Sequence, residues 1–362
     1  MRAALLHATG PEAGVDLRDD VTAVGPGPGQ VRVRVRATGV CHSDLSVLNG
    51  VIPSGLPVVL GHEGAGEIVS VGDQVTGLAP GQHVVISWTP ACGSCPECRR
   101  GQPYLCLTYV IKGFKTPQFR LGDGTEAFGM AGCGTWAEEL VVPWQAVIPI
   151  DHDVPFDYAA LLGCGIPTGV GAVINTARVA PGSSVAVVGC GGVGLAAIQG
   201  ARIAGAATIL AVDPLRAKHG LALALGATHA VTPDDAEQAR KELAGGSGFD
   251  YAFEVVGVAA TIRSAWRLAR RGGTVIVVGA GTRADTVPFS VFELLYDGKE
   301  LLSSLYGHCD LHRDIPRFVS LWRAGLLNIE GLITSRIAFG QLNDAISALR
   351  RGDAVRQVVT FG

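Results

Sequence analysis

Apolar and polar residues alternate in short runs over roughly the first 160 residues. In 30–36, valine alternates with arginine, which is the period of a strand with one buried face. Shorter strands are predicted at 67–71 and 83–87, and Gly, Pro and Asp between them favour turns. The run Gly-Pro-Gly-Pro-Gly at 25–29 is a turn or loop. The pattern predicts a β-rich first part of the chain.

Beyond residue 183, apolar runs alternate with segments of helical character. The predicted strands are 184–188, 208–212, 249–254 and 273–278, and the predicted helices are 193–204, 214–225 and 259–270. This alternation is typical of right-handed βαβ units and predicts an α/β fold with a doubly wound parallel sheet. After residue 305 we expect helices and a last strand, 357–361, that returns to the first part.

Length and composition narrow the class of protein. The 362 residues predict two domains, and 48% apolar with 17% charged residues excludes a disordered chain. The net charge of -3 argues against a nucleic-acid partner. No apolar run approaches the roughly 18 residues of a membrane helix, and the first ten residues do not form a secretion signal. We expect a soluble, cytoplasmic protein without a membrane partner.

Nine cysteines, an odd number, fit poorly with a disulfide framework in such a chain. Two residues separate successive thiols in one short stretch, and a fourth thiol follows eight residues later; the four are Cys92, Cys95, Cys98 and Cys106. This spacing lets the sulfurs meet one tetrahedral ion and leaves no position for a substrate. The stretch predicts a structural Zn²⁺ site, and a coincidental cluster of cysteines is the alternative.

A glycine-rich turn follows the predicted strand 184–188 and opens a helix, which matches the pattern G-x-G-x-x-G. The residues expected to contact a dinucleotide are Gly189, Gly191, Gly192, Val193 and Gly194. Free N–H groups at the start of the helix would bind the pyrophosphate. Asp213, at the end of the next strand, would bind the ribose hydroxyls, so NAD is favoured over NADP. Nearby Arg216 and Lys218 could tolerate a 2′-phosphate, and a nucleotide-free α/β domain is the alternative.

Three further segments carry Cys or His next to other polar residues. They are Cys41-His42-Ser43-Asp44, Gly61-His62-Glu63 and Gly163-Cys164-Gly165. Together with the four cysteines and the glycine turn, they make the chain resemble the zinc-dependent alcohol dehydrogenases of the medium-chain dehydrogenase/reductase superfamily. The resemblance implies a β-rich, GroES-like catalytic domain with both zinc sites, 1–165 and 306–362, and a Rossmann domain that binds NAD, 166–305.

The resemblance also implies roles for single residues. Cys41, His62 and Cys164 would hold a catalytic Zn²⁺, since three protein ligands and one open position suit catalysis. Asp44 would orient His62 through its other ring nitrogen. Ser43 would contact the alcohol and begin a proton relay.

Other implied roles leave alternatives open. Glu63 would transiently occupy the metal when substrate is absent, or it is a charge on a strand edge. Thr168 would lie behind the nicotinamide. His42 and Arg356 would approach the pyrophosphate, with an ordinary surface histidine as the alternative for His42, and Lys218 would flank the adenosine ribose.

The chain departs from the family at one position of the relay. Many members have a histidine five residues after the first ligand cysteine, where this chain has Ser46. The relay then ends in water, in another group or in the ribose itself.

Alignment with the family predicts the wall of the substrate pocket: Ile52, Trp88, Ile111, Met130, Ala280 and Leu305. All six are apolar, which suits a hydrophobic aliphatic or aromatic alcohol. Trp88 would leave little room for a second substituent at the reacting carbon, so primary alcohols and aldehydes are favoured, and a core tryptophan is the alternative. Polyols and glutathione-linked substrates are disfavoured because the wall offers few polar partners.

The sequence therefore predicts an oxidoreductase that interconverts an alcohol and its aldehyde with two Zn²⁺ per chain and NAD. The alternative is a nicotinoprotein, which keeps its NAD bound and uses an external acceptor. A non-catalytic zinc protein would lack a ligand of the catalytic set, yet all three are present. The segment 106–136 is long, as in dimeric members of the family that the chain resembles, so the resemblance implies a homodimer rather than a tetramer.

Overall fold

The computed structural model describes residues 1–361. These residues form two compact units. The first unit contains Met1–Gly165, Asp310–Ser320 and the described residues from Ile333 onward, and the second contains Ile166–Cys309 and Leu321–Leu332. Whether these units are independently folding domains, with the boundaries expected from the sequence, stays a prediction.

The first unit consists mainly of strands. They are β1 (Ala3–Leu6), β2 (Asp16–Arg18), β3 (Thr22–Ala23), β4 (Gln30–Val40), β5 (Val58–Val59), β6 (Gly64–Val71), β7 (His83–Ile86), β8 (Phe119–Arg120), β9 (Glu126–Gly129), β10 (Glu139–Pro143), β11 (Val147–Ile150), β18 (Ser335–Ala338) and β19 (Gln357–Thr360). One sheet has the order β2-β1-β5-β9-β8-β3, and another has the order β11-β7-β6-β4-β19-β18, with β10 also paired to β4. The prediction of a β-rich first part is confirmed.

Strand β4 is the centre of the second of these sheets. The valines of its first half are buried, while the arginines between them are half-buried or exposed. It runs four residues beyond the predicted 30–36, because β6 and β19 pair antiparallel with its second half. The return of the last strand to the first part of the chain is therefore confirmed. The apolar core of this unit includes Trp136 and Phe119, both fully buried.

Short helices connect the strands of the first unit. They are α1 (His42–Leu48), α2 (Pro96–Arg99), α3 (Thr108–Lys115), α4 (Phe156–Leu161) and α12 (Leu342–Arg351). Helix α5 (Gly165–Gly171) starts at the end of the first long segment, and α11 (Leu311–Arg323) runs from the first unit into the second.

The second unit has one parallel sheet. Its strands are β12 (Ser184–Val188), β13 (Thr208–Val212), β14 (His229–Val231), β15 (Phe249–Glu254), β16 (Ala269–Val277) and β17 (Glu300–Ser303). Their order is β14-β13-β12-β15-β16-β17, which is the doubly wound order of dinucleotide-binding domains. Three predicted strands have the observed bounds, while the fourth, predicted at 273–278, begins earlier, at Ala269.

Helices of the second unit lie between these strands. They are α6 (Gly192–Ile203), α7 (His219–Ala224), α8 (Ala236–Leu243), α9 (Ala259–Leu268) and α10 (Val291–Asp297), and a π-helical segment, Ala172–Ala177, continues α5. The predicted helix 214–225 is wrong in its first half. Leu215 is extended, its N–H donates to Asp213 Oδ1, and a 3₁₀ turn, Arg216–Lys218, precedes α7. None of the helices in residues 1–361 has the length and hydropathy needed to cross a membrane.

Candidate metal centres and dinucleotide turn

The four cysteines of the first unit's lobe come together as their spacing predicts. Their sulfur atoms all lie within 4.8 Å of one another, and three of the four side chains are half-buried. Cys95 precedes the one-turn helix α2, and its sulfur accepts the N–H of Cys98. The local backbone therefore curls around the sulfurs, and one tetrahedral ion fits the set.

Backbone N–H groups point at these sulfurs. Cys92 N donates to Cys106 Sγ over 3.3 Å, and Cys95 N donates to Cys92 Sγ over 3.3 Å. The Thr108 hydroxyl and then the N–H of Ser94 lower the pKa of Cys92 to about 5. These donors favour the thiolate of Cys92, which is the form of cysteine that binds metal.

A second group forms around His62, from three distant parts of the chain. Cys41 precedes α1, His62 lies two residues before β6, and Cys164 lies directly before α5. Their ligand atoms and a carboxylate oxygen of Glu63 lie within 4.8 Å of one another, and all four residues are buried. The structure thus brings together the residues that the resemblance assigned to one ion.

Asp44 holds this group in place. Its carboxylate accepts the N–H of Cys41 over 2.8 Å and the N–H of Gly61 over 3.2 Å. The same carboxylate lies 3.1 Å from His62 Nδ1. Because a carboxylate only accepts, Nδ1 carries the hydrogen, and Nε2 keeps its lone pair for another partner.

The donor set fits a zinc ion. His62 is 2% exposed, and its Nε2 has no hydrogen-bond partner among residues 1–361, although buried polar atoms are normally paired. The neighbouring Cys164 side chain lowers the pKa of Cys41 well below its usual value. Two sulfurs and one imidazole nitrogen are the ligands of a catalytic zinc site with an open position.

Glu63 and Arg356 form a buried ion pair beside this group. Glu63 Oε1 lies 2.9 Å from Arg356 Nη1, and both side chains are nearly inaccessible. Burial raises the pKa of Glu63 to about 8, against the opposing charge of Arg356. A Cβ on Gly39 would overlap Glu63 Oε2, and one on Gly165 would overlap the Arg356 guanidinium. The pair therefore depends on two glycines, and Glu63 is not an exposed charge on a strand edge.

The glycine turn after β12 has the features that a dinucleotide needs. Gly189 has a φ of +103°, and a Cβ on Gly194 would overlap the carbonyl oxygen of Gly189. Gly191 precedes α6, and a Cβ there would meet nothing within 4 Å. The turn is closed toward the protein and open at the start of α6, where phosphate binds in such folds.

Asp213 connects this turn to the end of β13. Its carboxylate accepts the N–H of Cys190 over 2.8 Å and the N–H of Leu215 over 2.9 Å. Lys218 Nζ lies 4.0 Å from the same carboxylate. The acid that is expected to bind the ribose is thus held next to the glycine turn.

Comparison with known proteins identifies the family. A family profile described as "Alcohol dehydrogenase GroES-like domain" matches residues 27–152, and one described as "Zinc-binding dehydrogenase" matches residues 192–323. Over 361 aligned residues the chain is 36% identical to a protein of Paracoccus denitrificans named S-(hydroxymethyl)glutathione dehydrogenase, with 94% of this chain and 95% of that protein covered. This chain belongs to the zinc-dependent alcohol dehydrogenases of the medium-chain dehydrogenase/reductase superfamily.

Solved structures of alcohol dehydrogenases agree with this. An alcohol dehydrogenase zinc-binding domain protein from Burkholderia ambifaria has a TM-score of 0.93 and 34% identity, and 100% of this chain and 98% of that chain are covered. Benzyl alcohol dehydrogenase from Acinetobacter calcoaceticus has a TM-score of 0.90 and 32% identity, with 99% of each chain covered. The prediction of a GroES-like domain and a Rossmann domain is confirmed.

The remaining predicted residues of the dehydrogenase are distributed over both units. His42 is exposed at the start of α1, and Ser43 Oγ lies 3.9 Å from Cys41 Sγ. Ser46 Oγ donates to the carbonyl of His42, so its hydroxyl is bound to its own helix. Thr168 is half-buried on α5 in the second unit.

The predicted pocket residues are likewise divided. Ile52, Trp88 and Met130 pack on the same apolar core of the first unit, and Ile111 is about half exposed on α3. Ala280 and Leu305 are exposed residues of the second unit. The assignment of the six to one wall stays a prediction.

The sequence reasoning missed the contact between Glu63 and Arg356, which lie 293 residues apart in the chain. The contact of Arg356 with the pyrophosphate stays a prediction, and the structure shows Nη1 of its guanidinium bonded to Glu63 Oε1. The sequence contains one signal of this contact. Arg356 interrupts the apolar run that ends in β19, and an arginine that is buried needs an acid as partner.

Proposed function

We propose that this dehydrogenase interconverts primary, hydrophobic aliphatic or aromatic alcohols and their aldehydes, with exchangeable NAD as the hydride acceptor. One observation carries the proposal: Cys41, His62 and Cys164 meet in a buried group whose His62 Nε2 has no partner among the described residues. This arrangement leaves room for a metal, and the family to which the chain belongs oxidises alcohols.

Cys41, His62 and Cys164 would hold the catalytic zinc, and a carboxylate oxygen of Glu63 lies close enough to act as a further ligand when substrate is absent. Zinc bound there would supply Lewis acidity toward the alcohol oxygen. Asp44 keeps the His62 ring in one tautomer and orientation, which maintains the ligand geometry between turnovers. The four lobe cysteines would hold a second, structural zinc, giving two per chain.

Ser43 is the group proposed to accept the alcohol proton. Its hydroxyl lies 3.9 Å from Cys41 Sγ and is half-buried, so it can contact both the site and solvent. Ser46 cannot take the place of a histidine as general base, because a hydroxyl bound to the helix backbone does not titrate near neutral pH. The proton therefore leaves Ser43 for water, for another group or for the ribose of the cofactor.

The glycine turn and Asp213 would bind NAD, which supplies the hydride acceptor. Asp213 is held by two backbone N–H groups and keeps lone pairs for ribose hydroxyls. Its charge opposes a 2′-phosphate, and we therefore expect Asp213→Gly to reduce the preference for NAD over NADP. The test is kcat/KM with each cofactor, and a wild-type preference for NADP would contradict the assignment.

The substrate class rests on the family alignment, which assigns Trp88, Ile52 and Met130 to the pocket wall; Ile52 and Trp88 are only partly buried against the core of the first unit. An apolar wall suits a benzyl-type alcohol better than S-(hydroxymethyl)glutathione, whose charged groups would need polar partners. The relatives named for these two substrates make both compounds natural members of a test panel.

The experiment is steady-state kinetics over primary, secondary and aromatic alcohols, S-(hydroxymethyl)glutathione and polyols, with the wild type and Trp88→Ala. Space for one small group is worth about 1–3 kcal/mol, so the ratio of secondary to primary kcat/KM should rise roughly 10- to 200-fold in the variant. Trp144→Ala, at an exposed tryptophan of the same unit, should leave the ratio unchanged. An unchanged ratio in both variants, or a wild-type preference for secondary alcohols, would refute the pocket assignment.

One measurement distinguishes an enzyme with exchangeable NAD from one with permanently bound NAD. The enzyme purified without added cofactor should show no NADH absorbance band after addition of alcohol alone. A band together with turnover on an external acceptor would favour the nicotinoprotein instead.

A homodimer is proposed from an apolar face of the second unit. Its exposed residues lie on α10 and β17: Val291, Phe292, Leu294, Leu295, Tyr296 and Leu301. Val291 is 81% exposed and Leu295 is 71% exposed. Large apolar side chains that are exposed close together on neighbouring elements favour a protein–protein interface, because monomers rarely expose large apolar patches.

Strand β17 also lies at the end of its sheet order, so its backbone groups can pair with the same strand of a second copy. Leu295→Glu should convert the dimer to a monomer in light scattering, because two charges would be buried at the interface. Leu223→Glu, at an exposed leucine on α7, is the matched control and should stay dimeric. A monomeric wild type, or a dimeric Leu295→Glu, would refute this face.

A further inference from the structure

Glu254 is a fully buried acid at the end of β15, in the second unit. Its Oε1 accepts the N–H of Val256 over 2.8 Å, the N–H of Gly257 over 2.7 Å and the hydroxyl of Thr261 over 2.7 Å. Three donors on one oxygen hold the residues after the strand in a tight turn. This turn, 255–257, is therefore shaped by a side chain rather than by its own backbone hydrogen bonds.

The second carboxylate oxygen of Glu254 has different surroundings. Glu254 Oε2 is buried and has no hydrogen-bond partner among residues 1–361. An unpaired buried carboxylate oxygen costs free energy, and stability alone does not explain why an acid stands there. The three contacts of Oε1 need an acceptor that reaches past the end of the strand.

The turn that Glu254 shapes packs against the glycine turn. A Cβ on Gly189 would lie 2.7 Å from Val256 Cγ2, and a Cβ on Gly194 would lie 3.0 Å from Val255 Cγ2. Both glycines belong to the G-x-G-x-x-G segment. Any displacement of 255–257 therefore changes the surroundings of the glycine turn directly.

The same turn is packed backbone to backbone on the residues that follow β16. Gly257 has a φ of +91°, and a Cβ there would lie 2.6 Å from the Ala280 backbone. The carbonyl of Glu254 accepts the N–H of Val278 over 2.8 Å and that of Gly279 over 3.1 Å. Glu254 thus connects the carboxyl ends of β12, β15 and β16, the edge of such sheets where ligands bind.

We infer that Glu254 is a positioning residue for dinucleotide binding, acting through the turn 255–257 on the glycine turn. It does not touch the cofactor in this inference, which rests on the proposed NAD site. What matters is an acceptor oxygen at the right distance from the strand, not the negative charge. Glutamine should therefore substitute for Glu254, and aspartate, which is one methylene shorter, should not.

The test is NADH binding by fluorescence titration, together with the thermal midpoint, in Glu254→Gln, Glu254→Asp and Glu254→Ala. Loss of the three contacts should raise the dissociation constant about 10-fold in the Asp and Ala variants, whereas Gln should stay within about twofold. KM for NAD should rise in parallel, while kcat at saturating NAD changes by less than about threefold.

Asp250→Asn is the matched control, since Asp250 lies on the same strand and bonds the N–H of Ser184 at the other end of the sheet. It should lower the thermal midpoint and leave NADH binding unchanged. If Glu254→Ala does not fold, the contrast between Gln and Asp decides the question.

Wild-type affinity in Glu254→Asp, or equal weakening in Asp250→Asn, would overturn the role of Glu254 and leave the proposed function intact. A wild type that binds no NADH would overturn the cofactor proposal itself, and this inference with it.

Discussion

The two cysteine-containing groups of the first unit differ in how their ligand atoms are brought together and oriented. The lobe collects four sulfurs from 15 residues of chain, is partly exposed, and orients its thiols with backbone N–H groups. The group around His62 collects ligands from positions 41, 62 and 164, is buried, and relies on the side chains of Asp44, Glu63 and Arg356. A local, closed set of ligands supports folding, whereas a dispersed set with an unpaired nitrogen supports chemistry.

The largest effect is expected from Cys164→Ala. Loss of a ligand should lower kcat/KM by about 10³-fold or more, because a Lewis acid supplies several kcal/mol and about 1.4 kcal/mol corresponds to a factor of ten. Elemental analysis should fall from two zinc ions per chain to one, with a nearly unchanged thermal midpoint. Cys133→Ala removes a buried cysteine outside both groups and should retain both metals. Active Cys164→Ala enzyme would refute the distinction.

Cys95→Ala should show the opposite pattern. Removal of a lobe ligand should lower the thermal midpoint by about 5–10 °C and reduce the yield of folded protein, because binding of a structural metal contributes to folding. The fraction that folds should keep its kcat. A normal midpoint in protein that has lost one zinc would show that the lobe does not stabilise the fold.

Asp44→Asn tests the use of a side chain, rather than the backbone, to orient a ligand. The amide can present a donor to His62 Nδ1 and favour the wrong tautomer, so zinc affinity or turnover should fall about 10- to 100-fold. Chelator titration and kcat measure the two effects. Asp157→Asn, which loses an ion pair with Arg336 at the surface of the same unit, should change neither.

The smallest expected effects are losses of stability when one glycine beside each group is replaced by alanine. In Gly39→Ala the new Cβ would overlap Glu63 Oε2 and break the pair with Arg356, which should cost about 1–3 kcal/mol. In Gly93→Ala the Cβ meets nothing within 4 Å, and only the φ of +73° opposes it, at about 1 kcal/mol. Thermal unfolding should rank the two, and a larger loss in Gly93→Ala would contradict the crowding argument.

These groups also differ in how far the sequence predicted them. The spacing of Cys92, Cys95 and Cys98 is enough to indicate a zinc site, because neighbours along a short chain segment are neighbours in space. Nothing in the spacing of Cys41, His62 and Cys164 places them together, and only the family resemblance did so. The ion pair between Glu63 and Arg356 escaped both arguments, since it depends on which strands meet in the sheet.

The secondary structure was likewise predicted where the local sequence decides it and missed where distant segments decide it. Strands such as Ser184–Val188 were predicted residue for residue because both faces are buried and the apolar run ends at a glycine. The helix predicted at 214–225 was wrong at its start, where Leu215 is extended and a 3₁₀ turn, Arg216–Lys218, precedes α7. The predicted strand at 30–36 was shorter than β4, because the second half of β4 pairs with β19, more than 300 residues later in the chain.

The place of β19 has a consequence for synthesis on the ribosome. The second unit has all its segments once residue 332 has been made, but the central sheet of the first unit lacks β18 and β19 until residue 360 follows. Arg356, which pairs with Glu63, is synthesised just before that last strand. The unit that begins the chain is therefore completed last, and until then Glu63, next to His62 in the chain, lacks its ion-pair partner.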